Sequence, residues 1–401
     1  MDHQDERLLR ALSDPLLWED APALRGWSAI EATIERIEAE DEAAKILCDD
    51  LLTGPSAWWP QRVRRTPGAY TLGVVRELLR RMPALVESRP PDGLQATSLA
   101  IAIAERLDPE AYWPDHVVLT RARAWREHAS VLSFLGRYGD ALAAVEKSSR
   151  LFEHAPAPRF DLARLAVVKA SALGMQNRSE EAVQLARDAG ETFLALGDRG
   201  RYVNARITEA AMLYDGGALE AALEVWSALT GDPGLDAIGA VRVAHNIALT
   251  LSDLGRQAEA VAPFARCVSD FERLGLATER SRSRWHLGNA LLGTMRRREA
   301  IAALRLAWHE LAELHLPVDA ALAALDLAEA LMANEQPDQV TTICKHVVEQ
   351  LTTAGLPAQA MPALSLLREA SAMGHVSRAV IRETHAAVKR VGLEARVQPR
   401  C

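Results

Sequence analysis

The sequence predicts an all-α protein, a solenoid of stacked antiparallel helix pairs. Two observations carry that expectation. A small residue returns at the same point of each unit, at Ala141, Ala182, Ala222, Ala260 and Ala300, with Val340 in the sixth slot, at gaps of 41, 40, 38, 40 and 40 residues. Self-similarity at such a period marks a repeat array, whose units bury their apolar faces only by stacking on neighbours. Alanine and leucine also abound while aromatics make up only 5%, a mixture that favours close-packed helices.

The elements follow in order. Residues 1–53 form an acidic helical region, with helices expected near 4–12, 24–38 and 41–52. Ile30, Ile34, Ile37, Ile46, Leu47, Leu51 and Leu52 would supply its apolar stripe. This region holds fourteen Asp/Glu against five Lys/Arg, so an acidic head precedes a nearly neutral body. Residues 54–70 read as a Trp/Arg/Pro loop, because Gly54, Pro55, Pro60, Pro67 and Gly68 are breakers. Trp58 and Trp59, next to Arg62, Arg64 and Arg65, are expected to dock on the first helix pair rather than stack on nucleic-acid bases.

Residues 71–121 form a divergent first repeat. Helices are expected over 71–87, kinked at Pro83, and over 94–107, with Pro90, Pro91 and Gly93 in the connection. Ala100 stands 41 residues before Ala141. Six regular repeats fill 122–356. Residues 357–401 supply two capping helices and a loose tail; the second helix and its approach carry His375, Arg378, Arg382, His385, Lys389 and Arg390, a polar face suited to a terminus that no further repeat covers.

Bulk properties exclude several classes of function. A net charge of −8 offers no electrostatic basis for non-specific nucleic-acid binding. No apolar run is long enough to span a membrane, and the acidic opening MDHQDERLLR has no signal-peptide core, so a cytoplasmic location is expected. Cys48, Cys267, Cys344 and Cys401 form no CxxC pair; Cys267 and Cys344 fall on apolar helix positions, as small buried hydrophobes would. Phosphate-cradling motifs are absent. His309-Glu310 opens like a zinc-protease helix, but Glu313 holds the place of the second ligand and His315 falls on the wrong side of a continuous helix. No catalytic residue, cofactor or metal is therefore expected, and the chain is read as a non-enzyme.

The units carry more specific marks. The stretch 122–154 has Trp125 at its fourth position, Leu132 at its eleventh, Gly136-Arg137-Tyr138 at the turn, and Ala141, Val145 and Ser148 on the second helix. Leu287-Gly288 in the fifth copy and Leu254-Gly255-Arg256 in the fourth repeat parts of this pattern. The sequence resembles the tetratricopeptide-repeat family, in particular the long-period, about 40-residue units of bacterial regulators and adaptors. It departs from the family's ~34-residue period and keeps the fourth-position Trp only at Trp125. The resemblance implies a right-handed superhelix with an N-terminal helical head, C-terminal capping helices and a concave groove lined by the first helices.

It also implies which positions face that groove. Position two is Arg123, Arg164, Asn204, Arg242, Arg282 and Leu322, four arginines in one register. Position five adds Arg126, His245 and Trp285; position six adds Asn246 and His286; position nine adds Asn289, and Tyr214 stands at position twelve. Arginine offers forked donors for carboxylates, asparagine holds extended backbone, and Trp with Tyr supplies apolar anchorage. These residues predict a protein–protein interaction scaffold, adaptor or regulator that grips a protein partner or an acidic peptide segment. The alternatives are a receptor for a small signalling peptide or ligand, and a structural subunit of a larger assembly. The acidic head would compete with an acidic partner if it folded onto the arginine row. For each single arginine the competing structural expectation is an ion pair with a glutamate of the preceding second helix.

Overall fold

The computed structural model of the chain describes residues 27–397, apart from 155–157, 175, 177, 335–336 and 355–360. The expected helix near 4–12 and the end of the expected tail, 398–401, lie outside the described residues. Among the described residues there are eighteen α-helices and no strand. They divide into two compact units, one ending at Asp198 and one beginning at Arg199.

The first unit starts with α1, Trp27–Leu51, one continuous helix where two were expected. Ile37, Ala44, Cys48 and Leu51 form a single buried stripe through the expected break. Ile46, expected in that stripe, is 73% exposed. After a short 3-10 turn, Ser56–Trp58, the segment read as a loop holds a further helix, α2, Trp59–Arg65, with Pro60 in its first turn, where proline costs no hydrogen bond. The two tryptophans part company: Trp59 is wholly buried, whereas Trp58 is 55% exposed. Arg62 fastens the turn by donating to the Asp50 carbonyl at 2.8 Å.

Helix α3, Leu72–Ser88, starts at Thr71, whose hydroxyl accepts from the Val74 amide, and continues through Pro83. Helix α4, Pro90–Ala104, begins at the prolines that were expected to lie in the connection, since Pro is favoured at the first helical position. The acidic head packs on α3. A Cβ on Gly73 would lie 2.5 Å from the Glu40 backbone, so the two helices cross there at the closest approach glycine allows. Tyr112 donates to both Glu40 oxygens at 2.7 and 2.8 Å, Arg76 meets Asp41 at 3.0 Å and Arg81 meets Asp49 at 2.6 Å. These carboxylates of α1 pair with residues beside the head, and none of these contacts involves Arg123, Arg126 or Arg164.

Helix pairs α5, Pro114–Phe134, with α6, Tyr138–Phe152, and α7, Arg159–Gly174, with α8, Ser179–Ala195, complete the first unit. The second unit holds α9, Arg199–Asp215, with α10, Leu219–Ala228; α11, Ala237–Asp253, with α12, Gln257–Arg273; α13, Ala277–Gly293, with α14, Arg297–Glu313; and α15, Pro317–Ala333, with α16, Pro337–Ala354. Each periodic small residue lies where the helices of its pair meet, and all six are at most 1% exposed. A second motif recurs with the same period. An arginine precedes the second helix and pairs three residues on with an acid in its first turn: Arg137 with Asp140, Arg178 with Glu181, Arg256 with Glu259, Arg296 with Glu299. The acids sit where the helix dipole favours negative charge.

The unit ends with α17, Met361–Ala372, and α18, Arg378–Val397. Helix α18 packs on α15 as well as on α17. Arg382 donates to Glu329 of α15, from Nε at 2.9 Å, and Arg378 approaches the same carboxylate at 3.9 Å. Cys48, Cys267 and Cys344 are buried free thiols. No helix among the described residues is long and apolar enough to cross a membrane.

Candidate partner-binding site

In each unit the position-two arginines stand on the first helices of their repeats, and all four meet an acid of the chain itself. Arg123 donates to Asp161 from Nε at 3.0 Å, Arg242 to Glu279 at 2.9 Å, and Arg282 to Asp319 at 2.8 Å. Arg164 reaches back to Glu127 at 2.7 Å. The expected partners were glutamates of the preceding second helix; the observed ones stand on neighbouring first helices. Asp161, Glu279 and Asp319 are each the third residue of their helix, where first-turn acids are stabilised by the dipole and each faces the adjoining unit.

In the first unit this pairing closes into a buried network. Arg126 is 3% exposed; it donates to Glu127 at 2.7 Å and to Asp161 at 2.5 Å, while Arg123 holds the second Asp161 oxygen. Burial pushes the Asp161 carboxyl up, but Arg123 and Arg126 more than offset this, and it stays below the usual aspartate range. Arg123, Arg126 and Arg164 are thus bound into the fold.

In the second unit the expected residues separate into three sets. His245 and His286 lie in the seam between α11, α12 and α13. His245 packs against Phe264 and His286 with ring centres 5.6 Å apart in both cases, and its Nδ1 lies 2.9 Å from Ser283 Oγ. His286 stacks on Trp285 at 5.2 Å. Desolvation holds His245 down to about 4, assisted by the Arg282 charge, and holds His286 down to about 3, assisted by His245. Both rings are held neutral by their packing in this seam.

A second set converges on one carboxylate. Trp285 Nε1 and Asn289 Nδ2 donate to Asp326 Oδ2 of α15 at 2.7 and 2.8 Å. His385 of α18 brings Nε2 to 3.2 Å from Asp326 Oδ1, off the hydrogen-bond direction. Burial raises the Asp326 carboxyl, and His385 first, then Asn289 and Trp285, outweigh it and hold it below the usual aspartate range. Tyr214 donates to Asp253 of α11; burial and then that carboxylate push its phenol above the usual range.

The third set is open. Asn204 is exposed and Asn246 half-buried; their backbone carbonyls accept from Thr208 and Thr250, and neither side-chain amide has a hydrogen bond among the described residues. Arg242 is 59% exposed and spends a single N–H on Glu279. The guanidinium carries five donors, so most of its capacity faces outward. Arg282, by contrast, commits both Nε and Nη2 to Asp319.

Two residues that the periodic reading missed line a different recess. Trp308 and His346 lie with His309 and His315 in a cleft beside α14 and α16. The register of a continuous helix puts His315 opposite His309. The helix ends at Glu313, however, and His315 takes a left-handed conformation with φ of 56° that turns it back to the same cleft. Among the described residues no cluster of His, Cys, Asp and Glu has the geometry to hold a metal.

Neither a protein-family model nor a curated protein matches the sequence. Solved structures do match the fold. The apo form of the quorum sensor NprR from B. thuringiensis superposes with a TM-score of 0.53 at 11% identity, covering 87% of this chain and 99% of that one. The signal transduction ATPase with numerous domains that has a tetratricopeptide repeat sensor, from Pyrococcus horikoshii, gives 0.52 at 11% identity over 98% of this chain and 69% of that one. The apo form of RapI gives 0.51 at 10% identity over 80% and 98%. With these likenesses and its own recurrent helix pairs, small crossing residues and Gly-centred turns, the chain has the fold of tetratricopeptide-repeat regulators.

Proposed function

We propose that the protein is a non-catalytic binding scaffold of the cell interior, which holds a peptide or protein segment on the first-helix face of its second unit. The observation that carries this reading is the spare capacity of Arg242, together with the unengaged amides of Asn204 and Asn246 on α9 and α11. The Tyr214–Asp253 bond joins these two helices. Asn204 and Asn246 would each offer donor and acceptor to an extended backbone, and Arg242 would take a carboxylate of the ligand while keeping Glu279. Arg282, Trp285 and Asn289 would support the face through Asp319 and Asp326. The acidic character of the ligand rests on Arg242 more than on a row of arginines.

A second reading, a receptor for a signalling peptide, draws support from the description of NprR as a quorum sensor. Capture from native lysate separates the readings. A scaffold retains a stoichiometric protein that Arg242→Glu with Asn246→Ala releases; a receptor retains none and changes its hydrodynamic radius on addition of a peptide extract. Equal capture by wild type and variant would place the interface elsewhere.

A further inference from the structure

We propose that a cleft on the second helices of the last two repeats binds an arginine side chain of a peptide or protein segment. The cleft has a volume of about 770 Å³ and is lined by Trp308 and His309 of α14, His315 of the following turn, Pro317 at the start of α15, and His346 and Glu349 of α16. It lies apart from the first-helix face argued above.

Its chemistry is that of an acceptor. His346 Nδ1 lies 2.9 Å from the Thr342 carbonyl; only an N–H can face a carbonyl, so a neutral His346 keeps its lone pair on Nε2. Glu349 makes no ion pair among the described residues, and no Lys or Arg lines the cleft. Lys345, a turn earlier on α16, is exposed outside the lining. Trp308 stacks on His309 at 4.9 Å and meets His346 edge-on at 6.2 Å, so the wall is a rigid aromatic assembly. The near-parallel Trp308 and His309 rings, a carboxylate and an imidazole acceptor suit a guanidinium, which stacks on rings and donates in its plane.

The turn supplies an independent observation. Gly136, Gly197, Gly217, Gly255 and Gly275 hold the left-handed conformation at other helix ends of the chain, where glycine is unstrained. At the corresponding points stand Met295 after α13 and His315 after α14, both non-glycine, and His315 alone of the two directs its side chain into the lining. Strain of this kind is retained where a side chain is needed.

The test titrates the full chain with N-acetyl-arginine amide and with its uncharged citrulline isostere, following the Trp308 indole N–H, assigned by Trp308→Phe, in NMR spectra at low salt. The arginine compound is expected to shift this resonance and to bind about tenfold more tightly than the citrulline compound, as a charge-assisted pair requires. Glu349→Gln should remove about the same factor. His315→Gly should weaken binding while the melting temperature holds or rises, which a purely structural histidine would not do. Equal binding of both compounds would identify an apolar recess only. A silent Trp308 resonance, or affinity unchanged by both variants, would overturn the assignment.

Discussion

Asp319 Oδ2 accepts a hydrogen bond from Arg282 Nε at 2.8 Å and meets its Nη2 at 2.6 Å in the same ion pair, across the seam between α13 and α15. The Arg242–Glu279 pair one repeat earlier is a single contact on an exposed guanidinium. Identical residues in identical register therefore do different work. Arg282→Ala removes the paired cation of a largely buried carboxylate and is expected to cost about 1–3 kcal/mol, whereas Arg242→Ala should cost about 0–1 kcal/mol. Urea unfolding of both variants measures the difference, and the reverse order would remove the basis for choosing Arg242 as the binding arginine.

The Asp161 network contributes to the acid stability of the first unit. Asp161→Ala leaves the buried Arg126 with Glu127 as its remaining carboxylate and should cost about 1–3 kcal/mol. Because the folded carboxyl titrates below its unfolded value, the unfolded chain takes up the proton first. The contribution is complete above the unfolded value of about 3.9 and is lost as pH falls from there through the lower folded value. Circular dichroism melts at falling pH should show a smaller loss in Asp161→Ala than in the wild type, the remainder coming from Glu77, which Arg80 and Arg81 hold down to about 2.

His245 and His286 impose a separate pH dependence on the second unit. Both are held neutral in the fold, at about 4 and about 3, and both gain protons on unfolding below about 6.5. Their neutral burial is harmless above that value, and stability falls as pH drops from about 6.5 toward 4. His245→Phe with His286→Phe is expected to flatten the denaturation midpoint over this window. A midpoint with the same slope in the variant would show that the rings charge in place.

Gly73 and Gly288 test close helix approach. A Cβ on Gly73 meets the Glu40 backbone at 2.5 Å, and one on Gly288 meets Leu304 Cγ at 2.6 Å. Gly288→Ala can be relieved by a side chain and should cost about 1–3 kcal/mol. Gly73→Ala meets backbone, so α1 must shift and unpair Glu40, Asp41 and Asp49; limited proteolysis should then cut α1 before any other described helix. Uncut α1 in the variant would mean that the head docks by its ion pairs alone.

Much of the architecture was legible in the chain because it is local and repeated. Ala141, Ala182, Ala222, Ala260 and Ala300 mark the repeat by size, whereas the Arg137-to-Asp140 pairing that starts the second helix emerges only in the structure. Errors came where a local rule met a tertiary contact. Pro90 reads as a breaker until it is placed at a helix start, and Ile46 reads as core until Cys48 takes the buried side of α1. His315 left its expected side because the helix stopped at Glu313, which periodicity does not reveal.

The sequence by itself determined the period, the helix pairs and the register that aligns Arg123, Arg164, Arg242 and Arg282, since each follows from spacings within about forty residues. Only the tertiary structure decided what those residues face: Asp161 and Asp319 for two of them, open solvent for most of Arg242, and a shared carboxylate, Asp326, for Trp285 and Asn289. The reason is physical. A side chain's availability depends on which charge stands across the seam, and the seam joins residues 37 to 41 positions apart whose pairing no single helix encodes.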